Sequence, residues 1–270
     1  MSSPKAEVGR VQVRVERAEH HRAKVEDDWV AAEEPLEIAV NGESLVVTLR
    51  TPGNDLELAT GFLHSEGIVQ RAEEIEALEH CQDPMAYDPD NLVQVTLSPG
   101  AEERQEALRR ARREFTAVAA CGLCGKGRLE DVFQRLPKIQ PMTPDLDLLA
   151  SLPERMKEHQ TLFHSTGGLH AAALFDREGN LLSLFEDIGR HNAVDKVIGH
   201  HLLRGEVPLH QHILVVTARA GFEIVQKAMM ASIPILGAVG ASSSLAVQTA
   251  RDGGLELVSF LAPGRGNRHV

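Results

Sequence analysis

The chain has 270 residues, of which 43% are hydrophobic and 25% charged, a composition typical of a soluble globular protein. Its formal net charge of −11 excludes an extended nucleic-acid-binding face, because phosphate contacts need clustered lysine and arginine. Any anionic ligand must therefore be held by a local group of cations, and the length favours two domains.

The first part of the chain predicts a small α+β unit. Residues 36–40 and 44–49 flank Asn41-Gly42, a turn pair that tolerates positive φ, and this pattern predicts a β-hairpin. Residues 11–15 alternate apolar and polar side chains, so we expect them to form a partner strand for that hairpin.

A helix is predicted next, because Asn54 provides a capping residue, acidic residues follow, and helical apolar spacing continues almost to Gly67. Residues 92–97 predict another strand, and residues 101–113 a charged helix. These elements would complete an N-terminal domain of residues 1–114.

The strongest indication of the protein's chemistry is a CxxC motif, in the segment Cys121-Gly122-Leu123-Cys124-Gly125-Lys126. It follows residues 115–120, an apolar run that predicts a strand, so both thiols should lie on a loop leaving a sheet. Lys126 and the N–H groups of a glycine-rich turn would lower the pKa of a cysteine there and favour the reactive thiolate.

The start of the chain lacks the apolar core of a signal peptide, and no apolar run is long enough for a membrane span, so we expect a cytoplasmic protein. In a reducing compartment, a close cysteine pair indicates redox, metal or sulfur-transfer use rather than a structural disulfide. Cys81 is expected to be a bystander. Structural zinc stays open as an alternative, with His164, His170 and His191 as further candidate ligands.

The second half predicts an α/β domain of residues 115–270. A hairpin is expected from residues 169–175 and 181–185, followed by three helices alternating with three apolar strands. This alternation predicts a sheet covered on both faces, with ligands bound beyond the strand ends. The predicted helices and strands are residues 192–203, 213–217, 222–231, 234–239, 243–251 and 255–260.

Four polar segments border these elements. Residues 163–170 combine two imidazoles with a glycine pair, although an ordinary turn into a strand explains them as well. Residues 186–196 suggest an anion site at a helix start formed with Arg190 and Lys196, where Asp187 would orient His191; a solvated helix cap is the alternative.

The other two segments follow strands. Residues 217–221, which include Arg219, form a strand-to-helix loop of the kind that faces phosphates, but they lack a strict nucleotide-binding motif. Residues 260–266 could enclose a flat base with Phe260 and hold phosphate with Arg265. A frayed terminus would explain the same segment.

Taken together, the ordered motifs resemble the FdhD family of formate dehydrogenase accessory sulfurtransferases. The resemblance covers most of the chain. It runs through Arg50-Thr51-Pro52-Gly53, Gly61-Phe62-Leu63-His64-Ser65-Glu66-Gly67, the CxxC segment, and residues 163–170, 186–196 and 219–236.

The resemblance implies an enzyme that carries sulfur. A cysteine desulfurase would place sulfane sulfur on Cys121 as a persulfide, with Cys124 as the second catalytic thiol. The sulfur would pass to a molybdenum bis(molybdopterin guanine dinucleotide) cofactor, or its tungsten analogue, that formate dehydrogenase requires.

The resemblance also implies the architecture and the cofactor site. A small N-terminal α+β roll would join a cytidine-deaminase-like three-layer α/β domain, and the protein would be a homodimer without a resident metal. The implied cofactor-binding residues are Phe260, Leu261, Ala262, Pro263, Gly264, Arg265, Arg219, His191, Arg190 and His164.

Two alternatives belong to other functional classes. A noncatalytic chaperone would bind and deliver the molybdenum cofactor without donating sulfur. A zinc-dependent deaminase relative would use Cys121 and Cys124 with a histidine, but the sequence has no HxE signature paired with PCxxC, the combination typical of that class.

Overall fold

The structure is a computed structural model that describes residues 6–19, 22–100, 102–117 and 136–269. Within these residues, three β-sheets and several helices form a mixed α/β fold, which confirms the predicted fold class. The cytidine-deaminase-like description and the domain boundary between residues 114 and 115 stay predictions.

A long β-ribbon opens the chain. It consists of β1 (Ala6–Glu7), β2 (Arg10–Glu19) and β3 (Arg22–Ala31), which pair antiparallel in a sheet of their own. The strand predicted at residues 11–15 therefore exists, but its expected pairing with the following hairpin is wrong. In its partner β3, Asp27 interrupts the alternation of charged and apolar side chains that begins at Arg22.

The next sheet contains the hairpin predicted around Asn41-Gly42. Both turn residues have positive φ, 53° and 78°, as this turn chemistry requires. The sheet order is β5-β4-β7-β6, with 3₁₀ turns at Ala72–Glu74 and Pro89–Asn91. Its strands are β4 (Glu34–Val40), β5 (Glu43–Arg50), β6 (Ile75–His80) and β7 (Leu92–Leu97).

Two helices cover this sheet, α1 (Asp55–Ser65) and α2 (Glu102–Ala117), through one apolar core that includes Leu36, Leu58 and Val93. Asn54 precedes α1 in the left-handed region and makes no side-chain cap, so the expected cap is wrong. The strand predicted at residues 115–120 is also wrong for residues 115–117, which continue α2. Residues 118–120 lie outside the described residues.

The second half forms a six-stranded sheet of order β13-β12-β11-β10-β8-β9, parallel from β10 to β12 and antiparallel elsewhere. The predicted elements agree with the structure to within about two residues. The strands are β8 (His170–Phe175), β9 (Leu181–Asp187), β10 (Ile213–Val216), β11 (Ile235–Ala238), β12 (Glu256–Ala262) and β13 (Arg265–Arg268).

Helices cover both faces of this sheet, as predicted. Alternate residues of β8 point to opposite faces: Ala172 packs with α5, α6 and α7, and Ala173 with α3. The helices of this half are α3 (Leu146–Lys157), α4 (Thr161–Thr166), α5 (Arg190–Leu203), α6 (Phe222–Met230) and α7 (Ser244–Gly253). None of the described helices is both long and apolar enough to cross a bilayer.

Two glycines bring α1 and α5 into backbone contact. A Cβ atom on Gly61 would lie 1.9 Å from the Asp195 carbonyl oxygen, and one on Gly199 would lie 1.9 Å from that of Glu57. Only glycine permits this approach, so the two halves meet at a glycine-lined helix crossing.

Candidate functional site

Three loops meet where β10, β11 and β12 end at the same edge of the parallel sheet. The loop after β10 carries Arg219, and Ala220 in that loop pairs with Ser242 in the loop after β11. The Phe260 backbone N–H donates to the Gly240 carbonyl oxygen at 3.1 Å. Two cofactor-binding predictions from distant parts of the sequence, Arg219 and Phe260, thus lie at one edge, which we call the strand-end edge.

The start of α5 lies at this edge too. Because β8 runs antiparallel to β10, its first residue, His170, lies beside the end of β9 and the first turn of α5. Burial lowers the pKa of His170, and the positive charges of Arg190 and His191 lower it further. His170 is therefore favoured in its neutral form amid cationic neighbours.

His191 pairs with Glu223, the second residue of α6, at 2.7 Å between Nε2 and Oε2. The hydrogen bond from His191 holds the pKa of Glu223 below its usual value, against the opposing effect of burial. The expectation that Asp187 orients His191 is wrong.

Asp187 instead belongs to a buried polar seam between the two halves. Its carboxylate accepts hydrogen bonds from the backbone N–H groups of Thr51 (3.2 Å) and Gly189 (2.8 Å), and from the Asn192 amide (3.0 Å). Lys196 Nζ lies 2.7 Å from the same carboxylate and also donates to the Thr51 carbonyl oxygen at 2.9 Å.

Lys196 is only 2% exposed, so the prediction that it helps to hold an anion is wrong. Its charge is neutralised inside the protein, where an unpaired ammonium group would be costly.

The arginines of the strand-end edge differ from seven other arginines of the described residues. Neither Arg190 nor Arg219 makes an ion pair or hydrogen bond with any residue of the described ranges. By contrast, carboxylates pair with Arg10, Arg17, Arg50, Arg104, Arg109, Arg112 and Arg268. In a protein of net charge −11, two such guanidinium groups at one edge provide the local cation group that an anionic ligand needs.

Residues 260–265 form a hairpin rather than the predicted loop or frayed terminus. The chain turns at Pro263-Gly264 into β13, and Arg268 at its end pairs with Glu256. Phe260 is 40% exposed and has a φ of 55°. Leu261 is buried in the core, so only its backbone could meet a ligand.

The remaining hairpin residues, Ala262, Pro263, Gly264 and Arg265, lie at the surface or close to it. Arg265 Nε donates to the Phe260 carbonyl oxygen at 3.4 Å. The turn thus presents one aromatic ring and one guanidinium group, which is the arrangement expected for a base and a phosphate.

Of the remaining predicted residues, His164 is not brought to this edge. His164 donates from Nε2 to the Lys157 carbonyl oxygen at 2.6 Å, on a helix that packs against β3. The catalytic candidates Cys121 and Cys124 lie outside the described residues. Cys81 is buried, with the Gln94 amide 3.6 Å from its sulfur.

Comparison with known proteins identifies the family. The model of the FdhD/NarQ family matches residues 31–268. The chain belongs to the FdhD/NarQ family. Relatives described as "Sulfur carrier protein FdhD" include those of Corynebacterium efficiens, 45% identical over 89% of this chain and 87% of the relative, and Nocardia farcinica, 48% identical over 87% and 83%.

A further relative of that description, from Sulfolobus acidocaldarius, is 41% identical over 89% of this chain and 87% of the relative. The fold is shared with the crystal structure of a candidate formate dehydrogenase accessory protein from Desulfotalea psychrophila. That match has a TM-score of 0.74 at 23% identity and covers 96% of both chains.

Sequence reasoning missed two features of the site. Glu223 was not predicted because nothing in its sequence neighbourhood indicates that a histidine from α5 faces it. Thr51 was only part of a motif, although its backbone donates to Asp187 from 136 positions away along the chain. Both contacts arise from tertiary packing, which residue spacing does not reveal.

Proposed function

We propose that this protein is a sulfur carrier for formate dehydrogenase. It receives sulfane sulfur from a cysteine desulfurase on Cys121 and passes it to the enzyme's molybdenum or tungsten bis(molybdopterin guanine dinucleotide) cofactor. The observation that carries the proposal is the identity of 45% and 48%, across most of the chain, to relatives described as sulfur carrier proteins.

Thiolate exchange accounts for the loading step. The Cys121 thiolate attacks the terminal sulfur of the desulfurase persulfide, forms Cys121–S–SH and releases the desulfurase cysteine as its thiolate. No net oxidation occurs, since the sulfane sulfur only changes its carrier. Lys126 follows Cys124 by two residues, and a cation close to these thiols would favour their ionised form.

Release of the sulfur uses the second cysteine. Attack of the Cys124 thiolate on the Cys121 sulfur forms a Cys121–Cys124 disulfide and expels the terminal sulfur as hydrosulfide. Two electrons pass from the cysteine pair to the sulfane sulfur, and a dithiol reductant must then restore both thiols. Hydrosulfide in this oxidation state is a ligand suited to the cargo metal.

The strand-end edge supports the cargo assignment. A cofactor with two nucleotide ends is strongly anionic, and the guanidinium groups of Arg190 and Arg219 make no ion pair or hydrogen bond in the described part of the chain. Phe260 adds an exposed ring for a flat base, next to Arg265. These groups bind and orient the cargo, while the cysteine pair supplies sulfur.

Loading the protein tests the sulfur-carrier role. Incubation with a cysteine desulfurase and cysteine should add one sulfur atom to the Cys121 peptide, detected by mass spectrometry after alkylation. Cys81→Ala is the matched control and should load normally. An unmodified Cys121 under desulfurase turnover contradicts the proposal.

The chaperone alternative gives the opposite genetic result. In cells that lack their own carrier protein, Cys121→Ala should fail to restore formate dehydrogenase activity if sulfur donation is required. Full restoration by Cys121→Ala would instead mean that binding and delivery of the cofactor suffice.

A further inference from the structure

Only one of the two carboxylate oxygens of Glu223 has a hydrogen-bond partner among the described residues. Its Oε2 atom accepts from His191 at 2.7 Å, whereas its Oε1 atom is shielded from solvent and has no partner among the described residues. A buried carboxylate oxygen without a donor is unfavourable, so a native structure that keeps one usually reserves it for a ligand or water.

A second unpaired polar atom lies in the neighbouring loop. Ser242 Oγ is likewise shielded and without a partner in the described ranges, and Ser242 pairs with Ala220 three residues before Glu223. An unsatisfied group in the first turn of α6 and another in the adjacent loop mark a place where polar atoms of a ligand can complete the hydrogen bonding.

The surrounding charges define the ligand. Arg190 and Arg219 favour an anion, whereas an ionised Glu223 repels one and accepts only from a donor. The matching ligand therefore combines an anionic group with N–H donors. Among nucleobases, guanine presents a ring N–H beside its exocyclic amine, whereas the amines of adenine and cytosine adjoin a ring nitrogen lone pair that would face the carboxylate.

We propose that Glu223 is a specificity-determining residue whose Oε2 holds His191 and whose Oε1 accepts a hydrogen bond from the exocyclic amine of a guanine base. This inference rests on the proposed function, because the cargo named there carries guanine nucleotides. The side chain is 21% exposed, and the last torsion of glutamate is soft, so a small rotation turns Oε1 toward an arriving base.

Two nucleotides that differ in a single group test the proposal on the full chain. Inosine diphosphate differs from guanosine diphosphate only in lacking the exocyclic amine. Calorimetric titration should show that the unchanged protein prefers guanosine diphosphate by about tenfold or more, the effect of one hydrogen bond to a charged group. Glu223→Gln should reduce this ratio to near one, chiefly by weakening guanosine diphosphate binding.

The matched control is Glu206→Gln, which removes the carboxylate of a second histidine–glutamate pair, His201–Glu206, at the far end of α5. It should keep the guanosine preference. Thermal unfolding of each variant confirms that it is folded.

Two results overturn the proposal: no guanosine preference in the unchanged protein, or equal losses for both nucleotides in Glu223→Gln, which would mean that Glu223 acts only through His191. Loading of Cys121 separates this inference from the proposed function. A protein that loads sulfur but lacks the base preference contradicts the role of Glu223 alone, whereas one that keeps the preference but cannot be loaded contradicts the sulfur-carrier role alone.

Discussion

The charged groups around α5 fall into two regions with opposite behaviour. In the buried seam against the N-terminal half, Lys196 pairs with Asp187, and Lys227 pairs with Asp195. At the strand-end edge, Arg190 and Arg219 have no such partner in the described residues, and Glu223 leaves one oxygen unpaired. The seam thus uses charge to hold two halves together, while the edge keeps charge available for a ligand.

The largest expected effect is in the seam. Lys196→Met leaves the Asp187 carboxylate buried without its cation, and breaking a buried pair in this way costs about 3–5 kcal/mol of unfolding free energy. Denaturant unfolding measures it. The double variant Lys196→Met, Asp187→Asn should recover part of the loss, and a single variant as stable as the unchanged protein would disprove the structural role of the pair.

A second test of the seam concerns the close backbone contact between α1 and α5. Gly199→Ala should destabilise the protein by about 1–3 kcal/mol, although alanine favours helix, because its Cβ meets the Glu57 carbonyl oxygen. Gly253→Ala in α7 is the matched control, since its Cβ meets only the flexible end of Met229. Equal thermal stability of the two variants would argue against a close crossing.

At the edge, substitution should separate binding from stability. Arg219→Gln should weaken guanosine diphosphate binding about tenfold while changing the unfolding free energy by less than about 0.5 kcal/mol. Arg177→Gln, in the exposed turn of the β8–β9 hairpin, is the control and should bind normally. The binding difference should shrink at high salt. Unchanged nucleotide affinity in Arg219→Gln would remove this residue from the site.

The smallest expected effect is a pH dependence of stability. The pKa of Glu223 lies below its ordinary value of 4.5, so its pairing with His191 stabilises the fold above that pH and the contribution disappears as the pH falls through the lowered pKa. Arg190 and Lys227 also face this carboxylate and act in the same direction.

The stability difference between the unchanged protein and Glu223→Gln measures this contribution. It should therefore decrease on acidification. A difference that stays constant with pH would show that the pairing does not depend on the charge of Glu223.

The contrast between seam and edge also explains what could be predicted from the sequence. The hairpin at Asn41-Gly42 and the alternating strands and helices after residue 190 were correctly predicted because their signals are local. The strand β13 was missed because Arg265-Gly266-Asn267-Arg268 carries no apolar pattern and is stabilised by pairing with β12. Helix α3 contains Pro153, which weakens any helical prediction.

For the site, the sequence predicted which residues lie there better than it predicted what each residue does. Arg190, His191 and Arg219 were predicted and do lie at the strand-end edge, but Lys196, on the same helix, belongs to the seam. Sequence spacing cannot distinguish the two, because the deciding partner, Asp187, is positioned by Thr51 from the other half.

The central claim is that sulfur bound to Cys121 reaches a cargo held at the strand-end edge. Protein loaded with radioactive sulfur and then mixed with the molybdenum cofactor tests it directly. The account predicts that the label moves to the cofactor, that Arg219→Gln slows this transfer without reducing loading, and that Cys121→Ala abolishes both. Label that stays on the protein, or that moves equally fast in Arg219→Gln, would contradict it.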